Sequence, residues 1–299
     1  MTVWLVGARG MLGGVFAGSL VHAGVRVVQT GNELDIADRE AVRALVRVER
    51  PTTIINCAAY TKVDDAETHA REAERCNVLG PENLALVAHE AESCLVHFSS
   101  DYVFAGDANQ PYDEAAPGAP ASVYGRTKWE GERRVLALQN RGRLYVVRTS
   151  WLFAAHGNNF VRTMLRLLAR EDELRVVSDQ IGRPTYAPDL AGAVLRLVGM
   201  DARGVAVEPG IYHYANHGST SWYGFAQAIR EGALRRRFPV RAREVRPIAT
   251  PEFPRPAPRP RYSVLSTQRF EAETASVPRP WQDALEACLD ELGASGGVA

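Results

Sequence analysis

Short apolar runs alternate with amphipathic stretches along the first half of the chain. Apolar runs rich in β-branched residues predict buried strands, at 2–8 (TVWLVGA), 25–30 (VRVVQT), 52–59 (TTIINCAA), 94–100 (CLVHFSS) and 144–150 (LYVVRTS). The stretches between them predict helices, at 11–24, 38–51, 70–91 and from about Tyr124 onward. This alternation is typical of an α/β fold with a Rossmann-like, doubly wound parallel sheet.

The alternation loosens after about residue 150. Helical patterns remain at 158–171, 187–200 and 219–237, strand patterns remain at 174–180 and 210–216, and the proline-rich segment 247–262 predicts an extended surface loop. We therefore expect a Rossmann domain over 1–150 and a smaller α/β region over 151–299, with a cleft between them. Some segments of the region 151–299 can cross back and become part of the first domain.

Composition narrows the classes of function. Formal charge is zero, with 35 acidic and 35 basic residues, so neither nucleic acid nor a membrane surface is expected as the main partner. Four scattered cysteines and seven histidines show no CxxC, HxH or HExxH spacing, which predicts no metal site and no disulfide framework. No apolar run has membrane-spanning length, and the N-terminus lacks a basic signal-peptide region. The expected compartment is the reducing cytoplasm.

A glycine pattern directly follows the first predicted strand. The stretch GARGMLG places Gly7, Gly10 and Gly13 in the spacing GxxGxxG. Glycines here permit a tight turn and a close approach of the backbone to a pyrophosphate, while the following helix N-terminus offers amide groups to the phosphates. The position at a strand-to-helix junction predicts a dinucleotide cofactor.

The end of the second strand bears on which dinucleotide binds. An acidic residue usually closes that strand in NAD-binding proteins, but here no acid appears before Glu33. Arg9 can instead meet a 2′-phosphate, so NADPH is favoured and NADH remains open. Asp35 and Ile36 either reach the adenosine or, equally well, cap the next helix. Small residues at 56–60 suit a backbone that lies against the cofactor.

One tyrosine and one lysine stand four residues apart. Of the 35 basic residues only Lys62 and Lys128 are lysines, and Lys128 follows Tyr124 at i+4, on the same face of a helix. A nearby ammonium and the positive nicotinamide of a bound cofactor are together expected to lower the pKa of the phenol and make it a usable acid. Ser100 and Asp101 close the fourth strand at the edge where ligands of such sheets bind, so Ser100 can hold a substrate carbonyl beside Tyr124.

These motifs together resemble the extended short-chain dehydrogenase/reductase family. Within it, the chain is similar to the dTDP-4-dehydrorhamnose reductases in strings spread over nearly its whole length: NCAAYTKVDDAE (56–67), SSDYVFAG (99–106), VYGRTKWEGE (123–132), RTSWLFAAHGNNFVRTML (148–165), DQIGRPTYAPDLA (179–191), GIYHYANHGSTSWYGFA (210–226) and RPRYSVLSTQRF (259–270). The resemblance implies reduction of the C4 ketone of a dTDP-linked 4-ketosugar with NADPH, or NADH as an alternative, and a substrate-binding role for 151–299.

The resemblance also implies roles for individual residues. The catalytic set is Ser100, Tyr124 and Lys128, with Tyr124 protonating the C4 oxygen. Cofactor contacts fall on Gly10, Met11 and Leu12 at the pyrophosphate, next to Gly7 and Arg9 of the glycine loop described above. Asp35 and Ile36 fall near the adenosine, and Ala58, Ala59, Tyr60 and Phe98 near the nicotinamide, where Tyr124 and Lys128 also reach the cofactor. The substrate contacts are Ser100, Asp101 and Trp151.

Several alternatives stay open. Ser100 replaces the family's usual threonine and keeps the hydroxyl. Some relatives dimerise through magnesium held by glutamates, but the matching helix position here reads Gly14-Val15, so a homodimer is open and a metal-bridged one is doubtful. Three rival functions are a dehydratase or epimerase, a non-catalytic regulatory relative, and a reductase of a related dTDP-ketosugar. The first is disfavoured because Asp101 is followed by Tyr102 rather than by a second acid. Arg261 and Tyr262 are either diphosphate or base contacts or loop anchors.

Overall fold

The computed structural model describes residues 1–295. The six strands of the main sheet coincide with predicted runs, in which β-branched and aromatic side chains pack well on a pleated surface. In this range the strands are β1 (Thr2–Val6), β2 (Arg26–Thr30), β3 (Thr53–Asn56), β4 (Cys94–Ser100), β5 (Leu144–Thr149), β6 (Leu152–Phe153), β7 (Glu173–Val177), β8 (Ile181–Gly182), β9 (Thr185–Tyr186), β10 (Gly210–His213), β11 (Thr220–Ser221) and β12 (Glu244–Ile248).

The helices follow the amphipathic stretches, and several begin at a serine, asparagine or aspartate whose side chain accepts from a first-turn amide. They are α1 (Met11–His22), α2 (Arg39–Glu49), α3 (Ala70–Glu74), α4 (Gly80–Glu90), α5 (Val123–Leu136), α6 (Phe160–Arg170), α7 (Ala187–Leu197), α8 (Trp222–Arg235), α9 (Gln268–Thr274) and α10 (Trp281–Ala294).

Six strands form one sheet in the order β2-β1-β3-β4-β5-β10, and every neighbouring pair is parallel. The predicted α/β fold with a doubly wound parallel sheet is confirmed. Strand β2 lies on one side of β1, whereas β3 and the later strands β4 and β5 lie on the other side. The direction in which strands are added therefore switches between β1 and β3. In open parallel sheets ligands bind at the carboxyl ends of the strands at such a switch point.

Helices cover both faces of this sheet. Helices α1 and α7 pack on one face, and α2, α4 and α5 pack on the other. Several of them bury residues four positions apart, which places those side chains on one helix face. These pairs are Phe16 and Leu20, Leu190 and Val194, and Val42 and Val46.

The chain after residue 150 contributes to two bodies of structure. Strand β10 pairs with β5 at the edge of the main sheet, and α7 packs against α1. A separate hydrophobic cluster joins α6, α8 and α10 around Phe225, Ile229 and Trp281, next to the parallel pair β7 and β12. The predicted division at residue 150 stays a prediction, with β10 and α7 as segments that cross back.

Three local features differ from the sequence-based expectations. The helix predicted over 70–91 contains a π-helical turn at Arg75–Leu79 between α3 and α4. The proline-rich loop predicted to begin at residue 247 begins later, because Pro247 and Ile248 end β12 and pair with Val176 and Val177 of β7. Strand β12, helices α9 and α10 and the two-residue strands were not predicted. Over residues 1–295, no helix has the length and apolar character needed to cross a membrane.

Candidate active site

The glycine loop joins β1 to α1 at the switch point. Gly7 has a φ of +72°, and a Cβ on it would lie 2.7 Å from the Ala58 amide nitrogen, while a Cβ on Gly13 would lie 2.3 Å from the Gly7 carbonyl oxygen. The first helical hydrogen bond runs from the Gly14 amide to the Gly10 carbonyl at 2.9 Å. The amides of Met11 and Leu12 therefore lack intrahelical partners, and this cradle fits a pyrophosphate.

Two ion pairs lie near the end of β2, where the adenosine is expected. Arg9 is exposed and its Nη2 lies 3.3 Å from Oε2 of Glu33, whose Oε1 accepts from the Gly31 amide at 2.6 Å. Asp35 accepts from Nε of Arg75 at 3.1 Å. Both pairs lie just beyond β2, where a cofactor ribose is expected.

Asp35 does not cap the next helix. Asp38 caps α2 by accepting from the amides of Glu40 and Ala41, so the capping alternative for Asp35 is wrong. Ile36 is buried against Gly80, where an added Cβ would come within 2.4 Å of the Ile36 side chain. Glycine on the first turn of α4 thus lets the Ile36 side chain pack against that helix.

Ala58, Ala59 and Tyr60 follow β3 and are half-buried. The Tyr60 amide donates to Oδ1 of Asn77 at 2.8 Å, and Nδ2 of Asn77 donates to the Tyr60 carbonyl at 3.1 Å. Asn77 is fully buried in the π-helical turn and was not predicted as a site residue. A buried asparagine that pairs with both backbone groups of one residue fixes this loop, and π-helical turns often occur at functional sites.

Helix α5 carries the tyrosine and lysine. Ser122 caps it by accepting from the Gly125 amide at 3.1 Å, which places Tyr124 in the first turn and Lys128 in the next. A Cβ on Gly125 would lie 2.2 Å from the Tyr102 carbonyl oxygen, so only glycine allows this approach of the helix to the end of β4. Both Tyr124 and Lys128 are buried.

The Lys128 ammonium donates to the carbonyl of Phe98 at 2.6 Å. Burial lowers the pKa of Lys128 to about 8, although Cys76 and Glu132 oppose the shift. Burial also raises the pKa of Tyr124 to about 12, although a hydrogen bond with Ser100 lowers it in part. In the protein alone desolvation of the phenolate is the largest cause of the raised pKa, so the lowering expected from Lys128 together with a bound, positive nicotinamide stays a prediction for the complex. The phenol is therefore protonated at neutral pH.

Ser100 and Asp101 end β4 beside this helix. The Ser100 hydroxyl donates to Oδ1 of Asp101 at 3.0 Å, and burial raises the pKa of Asp101 to about 6. Tyr102 occupies the position of a second acid, and its ring packs edge-on against Tyr124 with centroids 5.5 Å apart. An aromatic ring here leaves Asp101 without a neighbouring carboxylic acid, which disfavours dehydratase chemistry.

Trp151 lies just beyond β5, whose Thr149 is in register with Ser100. Its φ is +46°, a strained value for a non-glycine residue. The ring stacks on Trp222 with centroids 3.5 Å apart and planes 7° apart, and a Cβ on Gly182 would come within 2.5 Å of it. Trp222 was not predicted as a site residue, although the apolar stripe of α8 begins with it.

A buried ion pair attaches α5 to β5. Nη2 of Arg148 lies 2.7 Å from Oε2 of Glu132, and a second contact from Arg148 Nε to Glu132 Oε1 measures 3.0 Å. Both residues are buried, and this bidentate pair holds the helix that carries Tyr124 against the sheet. In the part of the chain that the structure describes, no group of three or more His, Cys, Asp or Glu side chains could hold a metal ion.

Comparison with known proteins agrees with this geometry. A family model described as the RmlD substrate binding domain matches residues 1–294. A dTDP-4-dehydrorhamnose reductase of Mycolicibacterium smegmatis is 42% identical over 285 residues, which cover 94% of this chain and 83% of the relative. A probable dTDP-4,6-dihydroxy-2-methyloxan-3-one 4-ketoreductase of Streptomyces antibioticus is 41% identical over 293 residues, covering 97% of this chain and 95% of the relative.

Solved structures show the same similarity. The crystal structure of a dTDP-4-dehydrorhamnose reductase from Bacillus anthracis in complex with NADP has a TM-score of 0.89 and 36% sequence identity, and the match covers 97% of this chain and 99% of that one. The matched lengths leave no large part of either chain unaligned. The chain therefore belongs to the RmlD substrate binding domain family, among relatives named dTDP-4-dehydrorhamnose reductases.

Proposed function

We propose that this chain uses NADPH to reduce the C4 ketone of dTDP-4-dehydro-6-deoxy-L-mannose, which yields dTDP-L-rhamnose. The observation that carries the proposal is the buried pair of Tyr124 and Lys128 beside Ser100, at the carboxyl edge of a sheet whose switch point holds a glycine loop. The reductase relatives support the substrate, and the relative crystallised with NADP supports the cofactor. NADH remains the alternative cofactor.

Ketone reduction needs a hydride at carbon and a proton at oxygen. When bound, the reduced nicotinamide supplies the hydride. The Tyr124 phenol donates its proton to the C4 oxygen, and the Ser100 hydroxyl holds that oxygen by a hydrogen bond. The phenolate that remains is stabilised by the Lys128 ammonium one helical turn away, and this stabilisation favours proton transfer.

Binding roles follow from position along the sheet edge. Gly7, Gly10, Met11 and Leu12 hold the pyrophosphate, Arg9 meets the 2′-phosphate, and Asp35 and Ile36 border the adenosine. Ala58, Ala59, Tyr60 and Phe98 border the nicotinamide. Asp101 and Trp151 contact the sugar together with Ser100.

A reductase of a related dTDP-ketosugar is the second candidate. The Streptomyces antibioticus ketoreductase, 41% identical to this chain, supports it. The two candidates share Tyr124, Lys128 and Ser100, and they differ in which hydroxyl groups of the sugar the protein must accept. A non-catalytic regulatory relative is disfavoured by the intact catalytic set.

The discriminating experiment follows consumption of NADPH by its absorbance, with purified protein and either dTDP-4-dehydro-6-deoxy-L-mannose or a related dTDP-ketosugar. We expect turnover with the first. Turnover only with the related sugar would replace the assigned substrate and keep the reaction class. Cofactor binding without turnover of any ketosugar would favour the regulatory function.

Two further properties belong to the proposal. All four cysteines are free thiols, which supports action in the cytoplasm.

The oligomeric state is the second property. A homodimer remains a proposal, and Gly14 and Val15 offer no carboxylate for a bridging metal. A side chain larger than glycine at position 14 would meet the His156 ring, 3.2 Å from an added Cβ.

A further inference from the structure

The strand segment Ile181–Gly182 and the next residue, Arg183, lie at the carboxyl end of β5. Ile181 pairs with Ser221 on one side and bridges to Tyr262 on the other. The Ser150 hydroxyl donates to the Arg183 carbonyl at 2.7 Å, and the Thr185 amide donates to the Trp151 carbonyl at 3.2 Å. These bonds fix the Arg183 backbone beside the tryptophan expected to cover the sugar.

The Arg183 guanidinium lacks an ionic partner. Its Nε is buried and makes no hydrogen bond, and none of the ion pairs among residues 1–295 includes it. Burial lowers the pKa of Arg183, while Tyr262 and Glu271 oppose the shift. Glu271 accepts a hydrogen bond from Thr267 at 2.6 Å and does not come within ion-pair distance of Arg183. A half-buried cation without a carboxylate is costly unless a ligand supplies the anion.

The position of Arg183 distinguishes between two diphosphates. The pyrophosphate of the cofactor is expected at the glycine loop after β1. Arg183 lies beyond β5, which is separated from β1 by β3 and β4, so three strand spacings of about 4.8 Å, or roughly 14 Å, lie between the two strands. The strand that ends at Ser100 is the immediate neighbour of β5. Along the sheet edge, a sugar held at Ser100 and Tyr124 therefore lies nearer to Arg183 than the glycine loop does.

We propose that Arg183 binds the diphosphate of the nucleotide-sugar substrate, next to the wall formed by the stacked rings of Trp151 and Trp222. The planar guanidinium donates two parallel hydrogen bonds to phosphate oxygens, a geometry that a lysine cannot reproduce. Tyr262, half-buried beside it, anchors the loop: its amide donates to the Gly106 carbonyl at 2.8 Å. The inference rests on the proposed function in that the substrate is a nucleoside diphosphate sugar.

The test compares binding of dTDP, thymidine and NADP+ to the wild-type protein, Arg183→Gln and Arg183→Lys by calorimetry. For Arg183→Gln we expect dTDP affinity to fall on the order of tenfold to a hundredfold, with thymidine and NADP+ affinities unchanged. Arg183→Lys should bind dTDP with intermediate affinity. In turnover, KM for the ketosugar should rise while kcat is retained, as for an interaction made equally in ground and transition states.

Arg175→Gln is the matched control, since Arg175 is an exposed arginine of β7 paired with Glu252 at 2.7 Å. It removes the same charge and should leave dTDP affinity unchanged. Equal losses for dTDP and thymidine, a loss of NADP+ affinity, or unchanged dTDP affinity in Arg183→Gln would overturn the assignment. Wild-type protein that binds dTDP through Arg183 but reduces no ketosugar would overturn only the proposed function. Wild-type protein that does not bind dTDP would overturn both.

Discussion

Lys128 provides a quantitative prediction that joins stability to catalysis. Its side chain is buried, and burial lowers its pKa from 10.5 to about 8. Each pKa unit corresponds to about 1.4 kcal/mol, so holding the ammonium in the folded protein at pH 7 costs about 3 kcal/mol of folding free energy. Lys128→Met keeps the chain length and removes the charge. At pH 7 we expect the free energy of unfolding of Lys128→Met to gain this amount of about 3 kcal/mol. The gain is reduced by about 1–3 kcal/mol, independent of pH, because the buried Phe98 carbonyl loses its hydrogen-bond donor.

The dependence on pH isolates the electrostatic part. Between pH 8 and 10.5 the unfolded chain binds this proton and the folded chain releases it, so the wild-type free energy of unfolding rises with pH in that window. The free energy of unfolding of Lys128→Met minus that of the wild type should therefore fall by about 2 kcal/mol between pH 7 and pH 9.5. Urea unfolding followed by circular dichroism at several pH values measures this difference, and other titrating groups cancel because both proteins contain them.

The other lysine is the control. Lys62 is exposed, 76% by side chain, and its Nζ lies 3.7 Å from Asp65. Lys62→Met should show no comparable change with pH and should keep full activity, whereas Lys128→Met should lose activity on the order of a hundredfold or more. A stability difference between Lys128→Met and wild type that is flat from pH 7 to 9.5, or that grows with pH, would refute the assignment of the pKa to burial.

Three further substitutions test the site. Tyr124→Phe should bind NADP+ almost normally in calorimetry and lose about 10²–10⁴ in kcat, and an active variant would mean that another group is the acid. Arg9→Gln should weaken NADPH binding about tenfold at low salt and leave NADH binding unchanged, and equal effects on both cofactors would remove Arg9 from the 2′-phosphate site. Glu132→Gln should lower the free energy of unfolding by about 3–5 kcal/mol, because it leaves the buried Arg148 guanidinium unpaired, and a loss below 1 kcal/mol in urea unfolding would contradict this.

The main sheet and the order of its elements were predictable because their signals are local. Runs such as 94–100 and 144–150 open with three or four consecutive apolar residues that include valines, and they became β4 (Cys94–Ser100) and β5 (Leu144–Thr149) with bounds within one residue. The glycine loop was equally predictable from the spacing GxxGxxG after the first strand. In the structure Gly7 and Gly13 make close contacts that a Cβ atom would block. Strands of two residues, such as β8 and β11, have no periodicity to read, and they exist only because distant segments pair there.

The chemical groups of the predicted site could be found from the chain alone: an i, i+4 tyrosine and lysine, a serine at a strand end and glycines at a strand-to-helix turn. The environments of these groups depend on the fold. Burial raises the pKa of Tyr124, the π-helical turn brings Asn77 to Tyr60, and strand pairing brings Arg183 beside Trp151. The physical reason is that periodicity and backbone propensity depend on near neighbours in the chain, whereas desolvation and charge pairing depend on residues that only folding brings together.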